Sequence, residues 1–373
     1  MLIEIYQMTA AENAVSITLE AVCDAFSSFL WDIEYFQCGQ FELYIAATPE
    51  TVAVFQTGRL VGRKDDTEHY GLIESVRIQT DAENGDYLTV SGHFLMILLS
   101  RRIIYPTMVI KEQTSYGEII HTAIQNNCLQ QNERFLPGLQ LGEISGDCWK
   151  QETHLQISYA NLMEWIYKIC ELVGGTANIS LVETKPNSRT YQMVFTLSEG
   201  VDRSVLQDTY PHVIFSDAFH NLLTFDYLKN AAAQQNAAYT LGAGEGEARK
   251  RAFCTLDPEP TQWERYEVYV DARDLSEETQ NDAGESVTIP EDEYLKMLEE
   301  RGRENLLPVE EISESSITAT SPQEQYPQDY QVGDLVTVQQ TRFGLSQNHI
   351  RLIGMIESFD QNGRSLTPTF QEG

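Results

Sequence analysis

Phe55-Gln56-Thr57-Gly58-Arg59-Leu60-Val61 opens a series of three sequence blocks that returns near the other end of the chain. The first series continues with Gly71-Leu72-Ile73-Glu74-Ser75-Val76 and Asn84-Gly85-Asp86-Tyr87-Leu88-Thr89. The second reads Tyr330-Gln331-Val332-Gly333-Asp334-Leu335-Val336, then Gly354-Met355-Ile356-Glu357-Ser358-Phe359, then Asn362-Gly363-Arg364-Ser365-Leu366-Thr367. The glycines keep similar offsets: 333 − 58 = 275, 354 − 71 = 283 and 363 − 85 = 278. Recurrence of whole blocks in order is the mark of a repeated structural unit. Each block carries strand signals. Asn-Gly between alternating segments is a hairpin signal, because both central residues of a type I′ turn need positive φ. Gly71 to Thr80 alternates with an imperfect period of two, as a half-buried strand does.

Working outward, residues 1–110 read as strand-rich, with short apolar runs at Glu4–Met8, Ser16–Leu19 and Phe41–Ala46. Phe94-Leu95-Met96-Ile97-Leu98-Leu99 fits either a buried strand or a short helix. From residue 111 the pattern changes. Ser115-Tyr116-Gly117-Glu118 fits a capping box before the stripe Ile119, Ile120, Ala123, Ile124 and Cys128. A second helix is expected from about Ser158 to Val173, stopped by Gly174-Gly175. A hairpin over 176–183 and 190–198 follows. Leu222–Lys229, Ala237–Leu241 and Arg265–Asp271 read as strands, Leu275–Ser286 as a polar loop, and Pro290 opens a charged helix to about Leu306. The fold class is therefore α+β and β-rich. The expected divisions are a first β-module over 1–110, an α+β domain over 111–205, a second β-module over 206–245 and 310–373, and an α+β insertion over 246–309.

Composition narrows function. Against 25 basic residues stand 56 acidic ones, a net charge of −31 over 373 residues. Such a surface repels phosphate and argues against nucleic-acid binding by charge neutralisation. No apolar run reaches the eighteen or so residues of a membrane span, and the N-terminus lacks a basic leader. This points to a chain made and folded in the cytoplasm. Six scattered cysteines form no C-x-x-C pair and read as buried free thiols. Gly242-Ala243-Gly244-Glu245-Gly246 superficially resembles a phosphate loop. It lacks the Lys-Ser/Thr pair and does not open a helix after a strand, so a turn or interface loop is the better reading. Asp81, Glu83, Asn84 and Asp86 crowd together without the order of a calcium loop. Seven dispersed histidines give no H-E-x-x-H, and no G-x-S-x-G elbow occurs. No catalytic set, cofactor or metal is expected.

In combination the motifs resemble the tail-hub family of long-tailed bacteriophages: siphophage tail-associated hub proteins and the central hub of contractile baseplates. The residues that carry the resemblance are Gly39-Gln40-Phe41-Glu42-Leu43, Gly71-Leu72-Ile73-Glu74, and Val90-Ser91-Gly92 before Leu98-Leu99-Ser100-Arg101-Arg102. To these are added Gly242-Ala243-Gly244-Glu245-Gly246 with Arg249, Glu267-Val268-Tyr269-Val270-Asp271, and Tyr330 to Val336. The resemblance implies a homotrimer in which two β-barrel-like tube modules per chain give a pseudo-six-fold ring. It also implies a helical domain between the modules and an insertion in the second. The implied partners are the chain itself, the distal tail ring or tube protein, the tape-measure protein, and tip or fibre proteins. DNA would only pass through, and no stable membrane insertion is implied. The implied location is the virion tail tip or baseplate.

On this reading the structural and interface candidates are Gly58, Gly71, Glu74, Asn84, Gly85, Gly242, Gly244, Arg249, Gly333, Asp334, Gly354, Glu357, Asn362 and Gly363. Two rivals stand beside it: a cell-wall hydrolase of the tail tip, which needs a cleft with converging catalytic groups, and a β-rich adhesin or carbohydrate-binding protein, which needs clustered exposed aromatics.

Overall fold

Alternating runs such as Ile3, Ile5 and Phe41, Leu43, Ile45 bury every second side chain, and the chain is accordingly dominated by strands. The computed structural model describes residues 1–11, 13–81, 85–186, 188–256, 258–280, 286–317 and 325–372. The first part comprises β1 (Ile3–Ala11), β2 (Ala14–Cys23), β3 (Ser28–Glu34), β4 (Gln40–Ala46), the short helix α1 (Pro49–Val54), β5 (Leu60–Arg63), β6 (Asp66–Asp81) and β7 (Gly85–Phe94). Leu95–Arg101 then forms a 3₁₀ helix, settling the ambiguity of that apolar run.

The middle part comprises β8 (Met108–Ser115), α2 (Tyr116–Cys128), β9 (Leu139–Ile144), β10 (Glu152–Ile157), α3 (Leu162–Val173), β11 (Thr176–Glu183) and β12 (Thr190–Ser198). The Ser115 hydroxyl accepts from the Glu118 amide and caps α2. α3 starts four residues later than expected, because the Asn161 side chain accepts from the Met163 and Glu164 amides and fixes its first turn there. Gly174, at φ 80°, ends it. The buried faces of both helices join Trp149, Phe195 and Leu197 in one core.

The last part comprises β13 (Ile214–Ser216), β14 (Leu222–Asn230), β15 (Ala237–Leu241), β16 (Arg251–Thr255), β17 (Glu267–Asp271), β18 (Glu278–Gln280), β19 (Ser286–Thr288), α4 (Glu291–Arg303), β20 (Glu310–Ile317), β21 (Leu335–Gln340), β22 (Leu345–Asp360) and β23 (Gly363–Glu372). The polar run expected as a loop thus holds the small β18–β19 pair. β15 pairs with β16 and β17 in a three-stranded sheet of its own, and α4 covers one face of it.

Sixteen strands join in one sheet with main order β11-β12-β2-β1-β5-β6-β7-β4-β3-β22-β23-β20-β14. The path is open at both ends, so no barrel closes within the described residues. Inside it one five-stranded unit occurs twice. β5, β6, β7, β4 and β3 pair in the same order and sense as β21, β22, β23, β20 and β14. In the first unit β3 and β4 form a direct hairpin. In the second, residues 231–309 are inserted between their counterparts β14 and β20.

The repeat extends to individual hydrogen bonds. The Gly58 amide donates to Ile73 O (2.8 Å) and the Ile73 amide to Arg59 O (2.8 Å). The Gly333 amide donates to Leu352 O (2.7 Å) and the Leu352 amide to Asp334 O (2.9 Å). β6 and β22 are both 16 residues long, and each ladder slips by one residue at the same place, at Glu74 and at Ile353 (353 − 74 = 279). The ladders therefore set Gly71 level with Ile350 and Ile78 level with Glu357. The sequence blocks had matched Gly71 to Gly354 and Glu74 to Glu357, four residues out of this register. In the second hairpin Gly363 pairs with Asp360, so the two-residue turn is Gln361-Asn362 rather than Asn362-Gly363.

Gly58 and Gly333 both hold left-handed backbone, at φ 87° and 103°. A Cβ on Gly58 meets nothing, whereas one on Gly333 would lie 2.2 Å from the Tyr35 ring. Gly58→Ala is expected to cost about 1–2 kcal/mol from backbone strain alone, and Gly333→Ala clearly more, as measured by urea unfolding. Equal losses would contradict this packing.

Candidate functional site: the seam between the two units

The two units meet edge to edge. β3 pairs antiparallel with the C-terminal half of β22, from Gly354↔Glu34 to Phe359↔Phe29. β21 occupies the N-terminal half of the same edge. The seam closes backbone groups that a lone strand edge would leave open. On its inner face Phe29, Trp31 and Phe359 pack together, with Phe29–Trp31 centroids 5.5 Å apart and Phe29–Phe359 6.3 Å apart.

Beneath this apolar layer lies an ion cluster that ties the units together. Glu357 is 3% exposed. Its Oε1 accepts from Arg63 Nη1 at 2.8 Å, and its Oε2 accepts from Arg364 Nε at 2.9 Å and Nη2 at 2.6 Å. The Arg63 guanidinium also lies over the Phe359 ring at 4.9 Å. Arg63 belongs to the first unit, where Asp65 also pairs with it (Nη2–Oδ2 2.9 Å), while Glu357 and Arg364 belong to the second. Alongside, Asp66 accepts from Trp31 Nε1 at 2.9 Å and meets His69 Nδ1 at 2.9 Å. Although Asp66 is largely buried, these groups hold its carboxyl well below the usual range.

The other face of the seam carries Asp32 and Glu34. Burial first, then the charge of Asp32, pushes Glu34 up to about 8, and burial also raises Asp32. Asp32 accepts from Gln40 Nε2 at 3.1 Å. A Cβ on Gly354 would lie 3.1 Å from Glu34 Oε2, so glycine leaves room for the acid. At the end of the seam the Tyr35 hydroxyl accepts from the Gly200 amide (2.9 Å) and donates to Gly174 O (3.2 Å). This joins the α+β domain to the same place.

The structure distributes the other candidates. Glu74 sits at the bulge of β6, with His93 Nδ1 2.6 Å away. Gly71 lies under the Phe41 ring, where a Cβ would come within 2.3 Å. Gly85, at φ 81°, begins β7, while Asn84 falls outside the described residues. The Asp334 carboxylate accepts from the Val201 and Gln331 amides and from Arg203. Asn362 and Gly363 belong to the β22–β23 hairpin. Gly242 and Gly244 lie in the β15–β16 connection, which Arg249 locks by donating to Gly242 O and Leu241 O (2.7 Å each) and to Asp271. Of the fourteen candidates, only Gly354 and Glu357 fall at the seam. Trp31, Asp32, Glu34 and Arg63 were missed, since nothing in the spacing of an acid-rich chain marks the pair that will be buried.

No group of three or more metal-ligating side chains converges among the described residues. Burial pushes the Cys38 and Cys148 thiols up to about 12 and those of Cys128 and Cys254 to about 11, the opposite of an activated nucleophile. Cys23 and Cys38 are only half-buried, and all six thiols are free. No described helix is long and apolar enough to cross a membrane.

Two outcomes follow from the seam. Removing Glu357 leaves the buried Arg63 with only the more exposed Asp65 as partner, so Glu357→Ala is expected to cost about 3 kcal/mol, the low end for a broken buried pair, and Glu74→Ala at the exposed bulge about 0–1 kcal/mol, in urea unfolding. Unfolded, Glu34 ionises near 4.5; folded, it keeps its proton to about 8. The folded state thus binds the extra proton, and stability falls as pH rises across that window. Glu34→Gln should flatten that fall, and an unchanged slope would contradict the assignment.

The comparisons agree with this architecture. The family model described as Siphovirus ReqiPepy6 Gp37-like protein matches residues 7–370. A search of curated proteins finds no match. The tail protein from Neisseria meningitidis MC58 shares the fold with a TM-score of 0.58 at 12% identity, covering 99% of this chain and 96% of that one. The 43 kDa tail protein of prophage MuSo2 from Shewanella oneidensis gives 0.57 at 12% identity, over 98% of each chain. The prophage tail protein gp18 from Listeria monocytogenes EGD-e gives 0.54 at 10% identity, over 100% and 95%. With a sheet built from a repeated unit, few helices and a match over nearly its whole length, the chain belongs to the Siphovirus ReqiPepy6 Gp37-like family and has the fold of phage and prophage tail proteins.

Proposed function

We propose that this chain is the structural hub at the distal tip or baseplate of a phage or phage-like tail. Three copies form a ring, and their six sheet units meet the six-fold tube on one side and a three-fold tip on the other. The units behave as two tube modules, 1–110 and 206–230 with 310–373, while 111–205 and the insertion 231–309, which begins before β15 rather than at residue 246, form the domains around them. The observation that carries this reading is the internal repeat, down to the paired Gly58 and Gly333 hydrogen bonds and the shared bulge. Duplication lets three chains present six similar faces, since closed rotational symmetry needs each face to recur. Glu42 and Glu314 stand at equivalent positions, opposite Ser91 and Thr369, on the face turned away from each core. An acidic face of this kind would let DNA or a tape-measure protein slide without adhering. The role is one of assembly rather than catalysis. The partners are further copies, the distal ring or tube protein, the tape measure, and tip or fibre proteins. The particle would be put together in the bacterial cytoplasm.

A second reading, binding of a glycan at the tip, has one observation in its favour. Phe253, Tyr239 and Tyr269 lie side by side across the exposed face of the three-stranded sheet. Arg265 stacks on Phe253 at 4.7 Å, and Trp263 nearby is 94% exposed. Glycan-array binding that Tyr239→Ala abolishes would support it.

For the hub reading, light scattering of the purified chain should give three times the 42.3 kDa chain mass, and a complex with the distal ring protein should contain three copies of the chain. A monomer at every concentration and with the ring protein present would overturn it.

A further inference from the structure

The seam inside one chain is a template for the seam between chains. β3 of the first unit covers the C-terminal half of β22 in the second. The counterpart of β3 is β14, the last strand of the sheet order. The counterpart of the covered half of β22 is Ser75–Thr80 of β6. No described strand pairs with that edge, since β5 ends its ladder at Leu72. The geometry points to β14 of one copy pairing antiparallel with Ser75–Thr80 of the next, in the register of the internal seam. This inference rests on the ring-forming reading above and names the surface that would close the ring.

The register follows residue by residue. Phe225 takes the place of Phe29, and Thr80 that of Phe359, because the ladders set them level. The expected pairs are Thr80 with Phe225, Gln79 with Asp226, Ile78 with Tyr227, Arg77 with Leu228 and Ser75 with Asn230. Exposure distinguishes the two edges. At the internal seam Phe29, Trp31 and Met355 are fully buried. At the outer edges Ile78 is 55% and Leu228 49% exposed. A long strand edge carrying exposed apolar residues is a template for another strand. Charge is complementary as well, since Arg77 would fall diagonally across from Asp226 on one face, within reach of an attractive cross-strand pair. The contact is heterologous, with one edge of a copy meeting a different edge of the next. It therefore propagates around a ring when the rotation closes.

The test is a cysteine pair in the full chain. Gln79 and Asp226 are seven places apart in the sheet order, so a disulfide between them within one chain is excluded. Under mild oxidation, Gln79→Cys with Asp226→Cys is expected to give covalent trimers on denaturing gels. Gln79→Cys with Asn230→Cys, four residues out of register, should give few. Ile78→Lys, at an exposed position, should leave the thermal unfolding of the monomer in place and weaken association by about tenfold or more. A trimer by light scattering that cross-links equally in both pairs, or tolerates Ile78→Lys, overturns the register and leaves the ring standing. A monomer throughout removes both.

Discussion

A strand edge is a row of donors and acceptors that must be paired, covered or left to water, and the two sheet units of this chain satisfy that demand at each other's expense. β3 lies along half of β22, so the first unit completes the second. The join is not apolar alone. Glu357 is buried between two guanidiniums, and such a cluster gives little net stability over a hydrophobic packing while penalising any arrangement that separates its members. Its effect is on geometry: Arg63 comes from one unit and Glu357 from the other, so the ion cluster sets how far they can slide. Tyr35, bonded to Gly174 and Gly200, brings the helical domain to the same point.

The two units have kept their backbone and changed their side chains. Gly58 and Gly333 survive because each must hold positive φ while its amide reaches the central strand. The bulge persists although Glu74 occupies it in one unit and Ile353 in the other. Ile78 in the first unit corresponds to Glu357 in the second, an exposed apolar residue against a buried acid. That exchange is what different neighbours would produce. The internal edge is covered by the same chain and can hold a buried ion cluster, whereas the outer edge of the single chain faces water.

This divergence explains what could be read from the sequence. The duplication was legible through its glycines and turns, whose backbone demands leave few alternatives. α2 and α4 were legible through Ser115 and Pro290, because caps are local. The register was not. Matching Gly71 to Gly354 placed the central strands four residues apart, since Gly71 makes room for Phe41 whereas Gly354 makes room for Glu34. These are two separate reasons for a glycine, and neither belongs to the shared backbone. The acidic pair Asp32–Glu34 and the Arg63 cluster depend on strands far apart in sequence, and no local pattern announces them. The start of the inserted sheet at β15 was likewise hidden, because a short apolar strand looks the same in either sheet.

The proposed ring would use one joining operation, the edge pairing seen within the chain, again between chains. It is tested most directly by cryo-electron microscopy of the assembled protein, reconstructed without imposed symmetry. The account predicts six sheet units around one axis, about 60° apart as closed symmetry requires, with the β3–β22 and β14–β6 joins alternating and alike. A ring held through other surfaces, such as the three-stranded sheet, with β14 and the outer half of β6 left in solvent, would contradict it.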